Sequence, residues 1–214
     1  MRDTLEVIKH DLLAHISMSG KGQPPLDRCG AAVEDNHLVN DVVKEESVLV
    51  RPAAAGDRDA IYELYRKVAS EPGGLARLVD EVDELYVAGF LSAALERGLS
   101  FVAEVDGDLV GEIHAYAPGI FCFGHVYGDL TIAVDPAAQG AGVGRRLFER
   151  FMQVVHDERP DVQRVELIAR ESNLRAIQFY ESLGFVREGV FHNRIRNLDG
   201  SLESDIPMAW SRSG

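Results

Sequence analysis

The sequence predicts an α/β (α+β) fold, one mixed central sheet with helices on both faces. Three observations carry that reading. Strand-length apolar runs and stretches of helical spacing follow one another without the strict alternation of a doubly wound domain. Asp106-Gly107 and Leu198-Asp199-Gly200-Ser201 each separate two apolar runs, which is a hairpin signal. Gly140, Gly142 and Gly144 lead from the end of a strand straight into a helix.

The elements follow in order. Val48-Leu49-Val50-Arg51-Pro52 reads as a short strand stopped by proline. Asp57 is placed to cap a helix carrying Ile61, Leu64, Tyr65 and Val68, and Gly73-Gly74 breaks the chain. A second helical stretch is expected through Leu78, Val82, Leu85, Tyr86, Phe90, Leu91 and Leu95, ending at Gly98. Residues 99–105 and 109–115 make the first hairpin, and residues 117–124 a loop. Residues 126–134 form a strand ended by Asp135-Pro136. A helix from near Gly142 carries Leu147, Phe148, Phe151, Val154 and Val155. Residues 164–170 form another strand. Ser172 or Asn173 then caps a helix with Ala176, Ile177, Tyr180 and Leu183, stopped by Gly184. Residues 185–196 and 205–210 flank the second hairpin signal.

Residues 1–47 read differently from residues 48–214. Leu5, Ile8, Leu12 and Ile16 suit one short amphipathic helix, residues 19–25 a linker, and residues 26–47 are polar and acidic. They are expected to be an N-terminal appendage, docked or mobile, with the main domain at 48–214.

The chain has 214 residues with 22 Lys+Arg against 35 Asp+Glu, a formal charge of -13. So acidic a chain is a poor partner for nucleic acid or for an anionic membrane surface. No apolar run approaches membrane-spanning length, and the N-terminus lacks the apolar core of a signal peptide. Two distant cysteines, Cys29 and Cys122, make neither a disulfide scaffold nor a zinc site. No metal and a cytoplasmic location are expected.

The segment Gln139-Gly140-Ala141-Gly142-Val143-Gly144-Arg145 carries the chemistry. Its glycines let backbone approach a ligand and turn several N–H groups one way, while the helix start adds about half a positive charge. Arg145 and Arg146 add more beside it. Such a cradle suits a pyrophosphate. It is not a Rossmann loop, because the third glycine position falls on Arg145 or Leu147. Nor is it a P-loop, because no lysine follows Lys67.

This loop, after Ile132-Ala133-Val134-Asp135-Pro136, resembles the pyrophosphate loop Gln/Arg-x-x-Gly-x-Gly/Ala of the GNAT acetyltransferase superfamily. Asn173, Ala176, Tyr180, Gly184 and Phe185 match a second pattern of that family, Asn-x-x-Ala-x-x-x-Tyr-x-x-x-Gly-Phe. The resemblance covers residues 48–212 and implies a mostly antiparallel sheet. It also implies an acyltransferase that moves an acetyl group from acetyl-CoA, its cosubstrate, to a primary amine by direct attack. Backbone of Ile132, Ala133 and Val134 would hold the pantetheine arm, and the loop from Gln139 to Arg145 the pyrophosphate. Asn173 would touch the cofactor arm. Tyr180 would be the acid for the leaving sulfur and Asp129 the base, directly or through water. A β-bulge beside this strand would open the slot. Strand alternation places Asp129, Thr131 and Ala133 on one face, and Leu130, Ile132 and Val134 on the other. Glu112, His114 and His125 are weaker candidates for the base. Glu112, His114 and Tyr116 share one strand face, which either lines an acceptor pocket or meets solvent. The acceptor is a small-molecule amine or a peptide or protein amine, and a homodimer suits the family. The alternative is a non-catalytic acyl-CoA-binding or interaction module on the same fold.

Overall fold

The computed structural model describes residues 48–212. The helix and linker expected within residues 1–47 lie outside the described residues. The order is β1 (Leu49–Pro52), α1 (Arg58–Ala69), α2 (Glu84–Arg97), β2 (Gly98–Val105), β3 (Asp108–Tyr116) and β4 (Val126–Val134). Then come α3 (Val143–Glu158), β5 (Arg164–Arg170), α4 (Leu174–Ser182), β6 (Val186–Arg187), β7 (Phe191–Arg196) and β8 (Leu202–Ser211).

The strands form one sheet in the order β1-β2-β3-β4-β5-β8-β6, with β7 also on β8. Every pairing is antiparallel except β4 with β5. Asp106 (φ 53°) and Gly107 (φ 91°) both take positive φ between β2 and β3, as a two-residue hairpin of this twist requires.

Alternation along β2 explains why helices cover both faces. Phe101 and Ala103 point into a core under α3, shared with Leu147, Phe148, Phe151 and Val155. Val102 points the other way, into a core with Ile61, Leu64 and Tyr65 of α1 and Val87, Phe90 and Leu91 of α2. Fully buried side chains such as Leu147 and Phe148 each contribute about 1.5–3 kcal/mol of transfer free energy.

Three local expectations change. The run expected as one strand over 185–196 divides into β6 and β7, each paired with β8. The helical stretch expected from Leu78 to Gly98 divides into a 3-10 turn, Val79–Glu81, and α2. Each piece has its own carboxylate at its start. Glu81 accepts from the Leu78 N–H (2.8 Å) and Asp83 from the Tyr86 N–H (2.7 Å). Asp57 stands before α1 but gives its first turn no side-chain cap. It accepts instead from Arg51 (2.8 Å) and from the Ala54 N–H (2.8 Å), and the Arg51 guanidinium holds its carboxyl below the usual range.

Candidate active site

β4 has two different halves. Val126 and Tyr127 pair with Arg164 and Val165 of β5, and there the pairing stops. On the β3 side, Tyr116 faces Gly128 and His114 faces Thr131. Two β4 residues, Asp129 and Leu130, therefore oppose Ala115 alone, which defines a β-bulge. Asp129 carries the strain at φ 52°, and the Thr131 hydroxyl donates to its carbonyl (3.2 Å). Beyond the bulge, β4 and β5 diverge, so the β5-side edge of Ile132, Ala133 and Val134 has no strand partner among the described residues. An extended chain can add there by main-chain hydrogen bonds.

The alternation expected along β4 holds past the bulge. Leu130, Ile132 and Val134 join the core under α3, and Ala133 the core under α1 and α2. At Asp129 the chain steps out of extended geometry. Its exposed carboxylate raises the Tyr116 hydroxyl, where burial is the larger cause.

At the far end of β4, Asp135 fastens the glycine loop. Its carboxylate accepts from the Ala137 N–H (2.9 Å) and pairs with Lys67 (2.7 Å). Gln139 donates to the Val134 carbonyl (3.4 Å). Gly140 (φ 85°) and Gly142 (φ 79°) occupy left-handed backbone that other residues resist. Arg146 N–H is the first to close the helix, on the Gly142 carbonyl (3.0 Å). The N–H groups of Val143, Gly144 and Arg145 precede it and lack intrahelical partners. No side chain caps this helix start. A Cβ on Gly144 would meet Val134 and Ile132 at 3.6 and 3.8 Å, an ordinary contact, so packing alone does not demand glycine there. Arg145 stays at the loop, 5.6 Å over the Phe179 ring. Arg146 turns away and donates to the Val48 carbonyl (3.3 Å), so it adds less charge to the cradle than its position suggests.

The β5 side of the gap carries the second set. Asn173 caps α4, its Oδ1 accepting from the Ala176 N–H (3.1 Å). That leaves its amide NH2 as a donor. Tyr180 packs against Phe148, Phe179 and Phe185, with ring centroids 5.4, 5.7 and 6.2 Å away. Burial pushes its hydroxyl up to about 12, so it is a proton donor at neutral pH.

Glu112 and His114, weaker candidates by sequence, are the centre of a buried polar cluster. Glu112 is 0 % exposed and His114 2 %. Glu112 accepts from Tyr65 at Oε2 (2.6 Å) and from Ser100 at Oε1 (2.7 Å), and His114 Nδ1 lies 3.0 Å from the same Oε2 that Tyr65 bonds. Neither partner hydroxyl was singled out in the sequence, where Tyr65 reads only as an apolar helix position. His125 is exposed on the loop before β4. Among the described residues, no group of His, Cys, Asp and Glu could hold a metal ion, and no helix is long and apolar enough to cross a membrane.

A sheet that opens at a bulge, beside a glycine-rich helix start left uncapped, defines a class of proteins that hold an extended, anion-bearing ligand between two strands. The chain belongs to the acetyltransferase (GNAT) family, whose profile spans residues 58–185. It is similar to the mycothiol acetyltransferase of Salinispora tropica, 39% identical over 93 residues, which cover 41% of this chain and 29% of that protein. It is also similar to the [ribosomal protein bS18]-alanine N-acetyltransferase of Escherichia coli (strain K12), 41% identical over 76 residues, 36% of this chain and 50% of that protein. The match thus spans half or less of either relative. The phosphinothricin acetyltransferase of Sinorhizobium meliloti in complex with AcCoA shares the fold. Its TM-score is 0.67 at 19% identity, covering 77% of this chain and 88% of that one.

Proposed function

We propose that the protein transfers an acetyl group from acetyl-CoA to a primary amine. The observation that carries this is the pairing of two unfilled features along β4. These are the open edge at Ile132–Val134 and the uncapped N–H groups of the α3 start. The first fits the amide-bearing pantetheine arm. The second fits the pyrophosphate, with charge-assisted bonds of about 1.5–3 kcal/mol each. Gln139, Gly140, Ala141, Gly142, Val143, Gly144 and Arg145 form this cradle, and the Asn173 amide NH2 reaches toward the arm. Gly144 supports the reading, since the fold itself leaves room for a larger residue there.

Tyr180 gives its proton to the sulfur as the carbon–sulfur bond breaks. Asp129, exposed at the bulge, draws the acceptor's ammonium to the mouth of the gap and is the sequence's candidate base. The acceptor is a small-molecule amine or the amine of a peptide or protein. The relatives are named for one of each kind, mycothiol and a ribosomal protein. A cytoplasmic location fits the sparse cysteines, and a homodimer fits the family.

The test is release of free thiol from acetyl-CoA with a panel of amines, each beside a no-acceptor control. Release with one acceptor class establishes the transferase and names its substrate chemistry. Tight acetyl-CoA binding with no release from any amine would favour the acyl-CoA-binding module instead.

A further inference from the structure

We propose that His114, held by Glu112, is the group that takes the proton from the acceptor amine. The inference rests on the acetyltransferase reading above.

The cluster has the layout of a carboxylate–imidazole base. Glu112 is enclosed and receives donors from three sides: Tyr65, Ser100 and His114 Nδ1. A proton on Nδ1 satisfies the 3.0 Å contact with the carboxylate, with the Tyr65 hydroxyl 3.3 Å away, and leaves Nε2 as the acceptor. The His114 ring cannot turn freely. It stacks on Phe90 at 4.0 Å and 10°, with Tyr116 at 6.1 Å on the same strand face. Nε2 has no hydrogen-bond partner among the described residues. Yet the one fully enclosed, unpartnered side-chain polar atom among them is the Tyr127 hydroxyl. Nε2 therefore retains an open side.

Register puts the dyad beside the strand that borders the gap. His114 faces Thr131 and Glu112 faces Ala133 across β3 and β4. β4 stands between β3 and the gap, so the dyad lies one strand spacing, about 4.8 Å, behind the strand that borders it. A short chain of waters over the face of β4 carries the proton across the remaining distance. The titratable groups around His114 are Glu112 and Tyr116 on its own strand, Tyr65 on α1, Tyr86 on α2 and Asp129 at the bulge. Asp129 then serves as the ammonium's electrostatic anchor.

The proton count closes. The ammonium loses one proton to Nε2 and thence to solvent. The neutral nitrogen bonds to the acyl carbon while the carbon–sulfur bond breaks. The sulfur takes the Tyr180 proton, and the second nitrogen proton restores Tyr180. One proton leaves per turnover. Glu112 touches no reacting atom and is a positioning residue.

Two measurements decide this. In a long-range 1H–15N spectrum, assigned with His114→Gln, the neutral His114 should carry its proton on Nδ1. Glu112→Gln should mix the two tautomers. A proton on Nε2 in the wild-type chain overturns the proposal. Separately, kcat is followed against pH with the panel amine that releases thiol. His114→Gln should lose at least about 10²-fold at neutral pH. It should regain about tenfold per pH unit as the amine deprotonates unaided, with KM for acetyl-CoA unchanged. A variant as active as wild type, or a loss equal at every pH, overturns the proposal and leaves the transferase reading intact. If wild type acetylates no amine, the transferase reading fails first, and the tautomer alone decides whether the dyad exists.

Discussion

The helices α3 and α4 begin in opposite ways, although both follow a strand of the same sheet. Asn173 turns its side chain back onto the first turn of α4 and accepts from Ala176. The α3 start has a glycine at that place, in left-handed backbone, and no side-chain acceptor. A missing cap typically costs about 1 kcal/mol of helix stability. α3 compensates through packing, since Val143, Leu147, Phe148, Phe151, Val154 and Val155 are all buried. On α3 the N–H groups without a side-chain partner sit at the start of an otherwise well-anchored helix, the arrangement that an anion-binding helix start needs. The two halves of β4 repeat the lesson, with Val126 and Tyr127 paired to β5 and the residues beyond Asp129 left open on that side.

The sharpest way to break this comparison is to give α3 a cap. Gly142→Asp supplies the missing acceptor and sets a negative charge in the cradle. Acetyl-CoA affinity should fall at least about a hundredfold, which corresponds to roughly 2.7 kcal/mol, while the thermal midpoint stays close to wild type. Gly142→Asn, equally strained but neutral, should lose much less affinity by calorimetry. Equal losses in the two variants would mean that backbone strain, not charge, explains the effect.

Next in size is Tyr180→Phe. Turnover at saturating substrates should drop by about 10²-fold or more, with acetyl-CoA affinity little changed. Because burial pushes this hydroxyl up to about 12, the wild-type enzyme should show no loss of its acid as pH rises through 10. Full turnover in the phenylalanine variant would return Tyr180 to a core role beside Phe148.

Asn173→Ala removes the cap of α4 and tests the other side of the comparison. Stability should fall by about 1 kcal/mol in denaturant titration. Acetyl-CoA affinity should weaken only by what the amide NH2 contributes. The smallest effect belongs to Gly144→Ala. Packing tolerates it at 3.6 and 3.8 Å, so stability should hold within about 0.5 kcal/mol or rise. A several-fold loss of cofactor affinity would show that the glycine serves the ligand.

Much of this was legible in the sequence because its signals are local. Val126–Val134 and Arg164–Arg170 are bounded by turn residues at both ends, and the structure keeps those bounds. The glycine loop could be read from its residues, and the start of α4 to within one residue, Ser172 or Asn173, between which the structure chooses Asn173. The division of residues 78–98 was missed because apolar periodicity runs through a cap that Asp83 imposes. The buried dyad was ambiguous for another reason. Period-two spacing places Glu112 and His114 on one face but does not say what covers it. The cover is Tyr65, 47 residues earlier in the chain, whose hydroxyl satisfies Glu112 at 2.6 Å. The separation of β4 from β5 was equally hidden, because it depends on long-range register.

The most direct test of the account is a set of backbone 1H–15N spectra recorded as acetyl-CoA is added to the wild-type chain. The account predicts large shifts and slowed exchange for the amides of Gly142, Val143, Gly144 and Arg145 and for the open edge of Ile132 and Val134. The amides of Val126 and Tyr127 should stay unchanged. Binding that leaves the α3 amides untouched, or no binding at millimolar acetyl-CoA, would contradict it.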